Sequence, residues 1–321
     1  MKALRVERGL LSVSAVDRPE ASSEALVRVV KSGICNTDLE IVRGYAGFEG
    51  TIGHEFVGVV EEAEDAADLI GKRVVGEINA GCGSCDLCQQ GDPRHCPNRT
   101  VLGIHGRDGA HAEFLKLPAG NLVAVPDEVS DEEAVFVEPL AAAYGITEQV
   151  EIDHETRVAV IGDGKLGLLC AFSLASEAKS LVLIGKHANK LAHAGMNGRD
   201  IETIELKDGG KLPTGFDVVV EASGSESGFG TALDIVRPRG KLVLKSTFHG
   251  TPSWQASRVV VDEITIVGSR CGRFQPAIDL LSSKKVKVDD LISEELPLSD
   301  GVKAMEVAAN KGVLKVLLRM A

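Results

Sequence analysis

Short apolar runs separated by glycine-marked turns fill the first part of the chain: ALVRVV at 25–30, FVGVVEE at 56–62 and RVVGEI at 73–78. Valine-rich runs of this length bounded by glycine predict strands, so this region reads as β-rich. Ser130 with Glu133 forms a capping box, which predicts a helix around Glu132 to Val137. Pro139 then stands where a second helical segment, LAAAYGITEQV, can begin. From Arg157 the period changes. RVAVIG (157–162) has the pattern of a buried strand, and KLGLLCAFSLASEA that of a buried helix. LVLIG (181–185), FDVVVEASG (216–224), a helix over Glu226 to Val236, KLVLKS (241–246) and ITIVGSR (264–270) continue the alternation. Strands alternating with helices predict βαβ units and a parallel sheet. Helices are expected near Pro276 to Ser283 and Asp300 to Asn310, before a last strand in GVLKVLLR. The fold class expected is α/β. A β-rich domain over 1–138, completed by 272–321, encloses a doubly wound nucleotide-binding domain over 139–271.

A chain of 321 residues is long enough for two cores. With 44% hydrophobic and 26% charged residues it has the profile of a globular protein. The formal charge of −12 and the 4% aromatic content argue against a nucleic-acid partner, because a phosphate backbone would be repelled. The start, MKALRVERGL, lacks the basic and apolar regions of a secretory signal, and no apolar run reaches bilayer length. A cytoplasmic location with no membrane partner is expected.

Cys82, Cys85, Cys88 and Cys96 fall within GCGSCDLCQQGDPRHC. This C-x2-C-x2-C-x7-C spacing brings four thiolates around one point, as a closed tetrahedral zinc site requires. Disulfides are disfavoured by the odd total of seven cysteines. GDGKLG (162–167), directly after a strand and before a helix, is a dinucleotide-binding loop. Gly162 permits the tight turn, Gly164 lets a pyrophosphate approach, and Gly167 lets helix pack on strand, with Asp163, Lys165 and Leu166 between them. The helix N-terminus favours the anion.

A second set of ligand types is sparser. Cys35 lies in SGICNTD, His54 and Glu55 lie in TIGHEFVG, and Glu138 lies in VEPLAAA. A carboxylate between apolar stretches needs a partner. A Cys/His/Glu set leaves a zinc position for substrate, the mark of a catalytic metal. Thr37 is placed to pass on a hydroxyl proton, and Asp38 to support a histidine ligand.

In their order, GICNTD, GHEFVG, the cysteine lobe, DGAHAEFLKLP (108–118), VEPLAAA and VAVIGDGKLG resemble the zinc-dependent medium-chain dehydrogenases, the alcohol and polyol dehydrogenase family. The resemblance implies a GroES-like catalytic domain, a Rossmann domain and a homodimer or homotetramer. It implies Cys35, His54 and Glu138 as catalytic-zinc ligands, with Glu55 able to join or exchange. The glutamate of VEPLAAA is similar to that of the sorbitol and threonine dehydrogenase branch. The implied reaction moves a hydride between an alcohol or polyol and a nicotinamide coenzyme. A zinc-free quinone or enoyl reductase, or a non-enzymatic nucleotide-binding protein, would lack the metal set or the turnover.

Two positions depart from the family pattern. Glu40 stands where many members carry a histidine that ends the proton relay. The second strand of the nucleotide domain ends in IGKHANK, without the acid expected of an NAD enzyme. His187 is flanked by Lys186 and Lys190, and Gly185 leaves room beside them. NADP(H) is therefore expected in preference to NAD(H). Tyr45, Phe48 and the Cys271 to Phe274 loop are candidates to border the substrate, and Cys170 reads as core.

Overall fold

The computed structural model describes residues 1–20, 23–196, 200–207, 210–246 and 256–320. They divide into two compact units, Met1–Glu138 with Leu291–Ala321, and Pro139–Asp290.

In the first unit a strand order runs Leu122–Ala124, Arg73–Gly76, Glu55–Glu62, Ala25–Gly33, Lys315–Arg319 and Ile292–Pro297, with Phe114–Leu117 pairing off Ala25–Gly33. The valine-rich runs build the middle of this sheet because their β-branched side chains pack on a pleated, buried surface. Val27, Val29, Phe56, Val60, Val74 and Leu117 enter one core with Leu4 and Ile52. C-terminal residues complete the sheet: Leu317 pairs antiparallel with Gly33, which brings Lys315 into the same layer. The strand Ile292–Pro297 was not anticipated. Its pattern ISEELP is exposed over Ser293, Glu294 and Glu295, as suits an edge strand carrying acids.

The helix Asp131–Val135 starts at the expected capping box. Ser130 Oγ accepts from Glu133 N at 3.1 Å and Glu133 Oε2 from Ser130 N at 2.9 Å. The next helix, Val137–Tyr144, carries Pro139 in its first turn, where the missing N–H costs nothing.

Among the described residues of the second unit, six parallel strands lie in the order Ile201–Glu205, Ser180–Gly185, Arg157–Ile161, Phe216–Glu221, Val236–Leu244 and Thr265–Gly268. By sequence this is 3-2-1-4-5-6, the doubly wound dinucleotide-binding arrangement. The helix Lys165–Leu174 is buried from Gly167 to Leu174, as its nearly unbroken apolar sequence requires.

One boundary differs from expectation. The chain returns to the first unit at Leu291, not near residue 272. A Cβ on Gly272 would lie 2.6 Å from Gly145 Cα, and Arg273 N donates to Glu148 Oε1 at 2.8 Å. These contacts hold the helix Phe274–Ser282 in the second unit.

Candidate active site

The cysteine lobe forms a compact sulfur cluster. The ligand atoms of Cys82, Cys85, Cys88 and Cys96 all lie within 4.8 Å of one another, and none of the four is in a disulfide. Cys85 Sγ is 3.5 Å from Cys88 Sγ and 3.6 Å from Cys96 Sγ. A tetrahedron with Zn–S bonds of about 2.3 Å has edges of about 3.8 Å, so the spacing fits zinc and is far too long for S–S bonds. Gly81 and Gly83 serve the turn: a Cβ on Gly81 would meet Cys88 Sγ at 2.7 Å, and Gly83 has φ +75°. Burial pushes the Cys88 thiol up to about 11, helped by Cys85 and Cys96 and opposed by a Gly83 backbone hydrogen bond. Ionising all four sulfurs together calls for a cation.

The second constellation is built on the sheet. Cys35 immediately precedes the helix Asn36–Val42, while His54 and Glu55 enter the strand Glu55–Glu62. Donor atoms of Cys35, His54 and Glu55 lie within 4.8 Å of one another. Asp38, fully buried, ties the group together. Its carboxylate accepts from Cys35 N at 2.8 Å and Gly53 N at 3.1 Å. It also lies 3.4 Å from His54 Nδ1 and 3.5 Å from His111 Nε2. Burial alone would raise the Asp38 carboxyl, but His54 and His111 hold it well below the usual carboxylate range. Nδ1 of His54 faces Asp38 but has no hydrogen-bond partner among the described residues. Thr37 Oγ1 sits 3.8 Å from Cys35 Sγ.

Glu138 is not among the donors that converge within 4.8 Å. The adjacent Glu55 is there instead. Glu138 is still close enough to feel them: burial pushes its carboxyl up to about 7, with Glu55 and Glu77 adding to the rise and His54 and Lys315 opposing it.

Two residues of this site escaped the sequence reading. Lys315 is fully buried and pairs with Glu55 Oε2; its Nζ also stands 5.5 Å from the centroid of the Phe136 ring. A single lysine inside the apolar run VLKVLLR was the available signal, since a buried ammonium must have a partner. His111 is fully buried, with Nδ1 2.8 Å from Ser32 Oγ and its ring packed on Gly53. A Cβ on Gly53 would lie 2.5 Å from His111 Cγ, and φ there is +97°.

The donor chemistry fits a resident metal. Glu55 Oε1 is buried without a hydrogen-bond partner among the described residues, beside a thiol and an imidazole. Glu40, where many family members carry a histidine, pairs with Arg43 at 2.6 Å. Of the candidates to border the substrate, Tyr45 is exposed, Phe48 packs on the core, and Cys271 and Phe274 are buried. Cys170 is core, its thiol pushed up to about 12 by burial.

In the second unit, the glycine loop lines a cavity of about 290 Å³ with Asp163, Gly185, Lys186, His187, Lys190 and Ser223. Gly162 has φ +119° and Gly167 packs so closely that a Cβ would lie 2.0 Å from Gly162 O. Nothing stands within 4 Å of a Cβ built on Gly164, the residue that caps the helix Lys165–Leu174. The room expected beside Gly185 is taken: a Cβ there would meet Asp163 Cβ at 2.5 Å and Oδ2 at 2.6 Å.

Known proteins resemble this chain over nearly its whole length. Residues 21–127 match the alcohol dehydrogenase GroES-like domain and residues 180–283 the zinc-binding dehydrogenase domain. The chain is 30% identical to the erythritol/L-threitol dehydrogenase of Mycolicibacterium smegmatis, with 92% of this chain and 90% of that one covered. It is similar to a zinc-binding dehydrogenase of Sinorhizobium meliloti 1021 solved with NADP, at 29% identity, TM-score 0.88, and 99% and 98% coverage. It is also similar to an alcohol dehydrogenase from E. coli CFT073 solved with NADH, at 27% identity, TM-score 0.90, and 99% of each chain. The chain belongs to the zinc-type medium-chain dehydrogenases, in their polyol dehydrogenase branch. These are oxidoreductases that move a hydride between an alcohol or polyol and its carbonyl partner.

Proposed function

We propose that this protein is a zinc-dependent dehydrogenase of small alcohols or polyols, using NADP(H) in preference to NAD(H) and acting in the cytoplasm as a homodimer or homotetramer. The observation that carries the reading is the buried convergence of Cys35, His54 and Glu55 on one point, backed by Asp38. Cys35 and His54 hold the catalytic zinc, with a carboxylate from Glu138 or Glu55 as third ligand. Cys82, Cys85, Cys88 and Cys96 hold a structural zinc. The catalytic zinc supplies, when bound, a Lewis acid for the substrate oxygen.

The chain's own residues do the rest. Thr37, next to Cys35, takes the hydroxyl proton of the alcohol and hands it outward. Asp38 fixes the tautomer and orientation of His54. Gly162, Asp163, Gly164, Lys165, Leu166 and Gly167 receive the coenzyme pyrophosphate at the start of the helix Lys165–Leu174. Lys186, His187 and Lys190 face the adenosine ribose from the end of the second strand, and the two lysines attract a 2′-phosphate. Polyol chemistry is supported by the family branch and by the erythritol/L-threitol dehydrogenase likeness.

The test is a panel of alcohols, polyols and sugars with both coenzymes on zinc-replete enzyme. Turnover of at least one vicinal diol or polyol, faster with NADP, is expected. Reduction of quinones or enones in place of alcohol oxidation would replace this reading.

A further inference from the structure

The second strand ends at Gly185 without an acid, yet an acid occupies that place. Asp163 comes from the glycine loop, and its side chain fills the volume that a residue at 185 would use: Cβ, Cγ and Oδ2 would all lie 2.5–2.7 Å from a Cβ on Gly185. Asp163 is 7% exposed and lines the coenzyme cavity. Its Oδ2 accepts from the backbone N–H groups of Lys186 and His187, each at 2.7 Å. His187 Nδ1 stands 3.0 Å from Oδ2 and 3.1 Å from Oδ1. These bonds load Oδ2 and leave Oδ1 a lone pair, since each carboxylate oxygen offers about two acceptor sites.

We propose that Asp163 is the acid that meets the adenosine ribose, and that it selects for a free 2′-hydroxyl against the pull of Lys186 and Lys190. The inference rests on the reading of this cavity as the coenzyme site. A ribose 2′-hydroxyl donates to a carboxylate, whereas a 2′-phosphate carries about two negative charges and is repelled by it. Asp163 and the two lysines thus act in opposite senses on one group. The lysines draw in the phosphate, and the carboxylate keeps NAD(H) usable. The source of the acid has moved from strand to loop, and Gly185 is the space that the move requires.

Fluorescence titration of zinc-loaded protein with NADH and NADPH tests this through the ratio of the two Kd values. Asp163→Asn keeps the shape and removes the charge. It is expected to weaken NADH, tighten NADPH and shift the ratio about tenfold or more toward NADPH. The double variant Asp163→Gly with Gly185→Asp returns the acid to the strand and is expected to keep the wild-type ratio. A ratio that stays within about twofold of wild type in Asp163→Asn overturns the proposal. If Asp163→Asn does not fold, the double variant decides: a wild-type ratio supports the role, and a shift of about tenfold toward NADH, as an acid added to a site that had none would give, contradicts it. A wild type that binds neither coenzyme overturns the cavity assignment as well. A wild type that prefers NADH removes only the lysine argument, because the change in ratio judges Asp163 separately.

Discussion

Lys315 and Glu55 form an ion pair with no solvent exposure to speak of, joining residues 260 positions apart beside the candidate catalytic metal ligands. Burial works against the Lys315 charge, but Glu55, Cys35 and Glu138 more than offset it and hold the ammonium above its ordinary value. The pair engages Oε2 of Glu55, while Oε1 is buried without a hydrogen-bond partner among the described residues. Lys315→Met removes the cation and strands a buried carboxylate, which costs about 3–5 kcal/mol. Urea unfolding should show that loss, and Lys315→Met with Glu55→Gln should recover most of it. Equal stability of the single variant and wild type would mean that the pair does not hold this part of the sheet.

Thr37 is expected to act on the proton and not on the coenzyme. Thr37→Val should lower turnover by about 10²-fold or more, within the range of general acid–base contributions, while NADPH affinity stays unchanged. Unaltered turnover would give the proton another exit.

The lobe cysteines should govern one zinc and stability, while Cys35 governs the other zinc and turnover. Cys96→Ser is expected to lower the melting temperature and reduce zinc from about two to about one per chain, since structural zinc contributes directly to folding. Cys35→Ser should lose the other zinc and all activity with the circular dichroism spectrum intact. Metal analysis beside thermal melting of both variants checks the division; equal effects of the two on melting would refute it.

Acid should weaken one surface tie of the first unit. Arg107 donates to both oxygens of Glu24 at 2.7 Å and holds its carboxyl below the ordinary value, through the hydrogen bond more than through charge. A depressed carboxyl contributes stability above its unfolded pKa and loses it as pH falls through the lower folded one. Glu24→Gln should therefore cost stability at neutral pH, by no more than about 1 kcal/mol given the partial exposure, and the two proteins should converge in acid. A constant difference across the titration would contradict the linkage.

What could be read in advance was whatever the chain writes locally. The cysteine spacing from Cys82 to Cys96 and the glycines of GDGKLG lie within one turn or lobe, so sequence spacing and spatial spacing nearly coincide. Lys315, His111 and the position of Asp163 beside Gly185 depend on strand pairing and loop packing across long separations. No local pattern encodes those meetings. The exchange of Glu55 for Glu138 in the tight trio has the same origin. Both acids border one site, and only the strand geometry after His54 decides which carboxylate lies nearer.

The account's central claim is that the Cys35, His54 and carboxylate group holds an exchangeable zinc on which alcohol oxidation depends. Mild chelation followed by zinc readdition, with metal content and polyol turnover measured on the same samples, tests it most directly. The expected result is loss of about one of two zinc ions per chain together with all turnover, an unchanged fold, and recovery of both on readdition. Full turnover in protein that has lost this zinc, or that never held it, would contradict the claim.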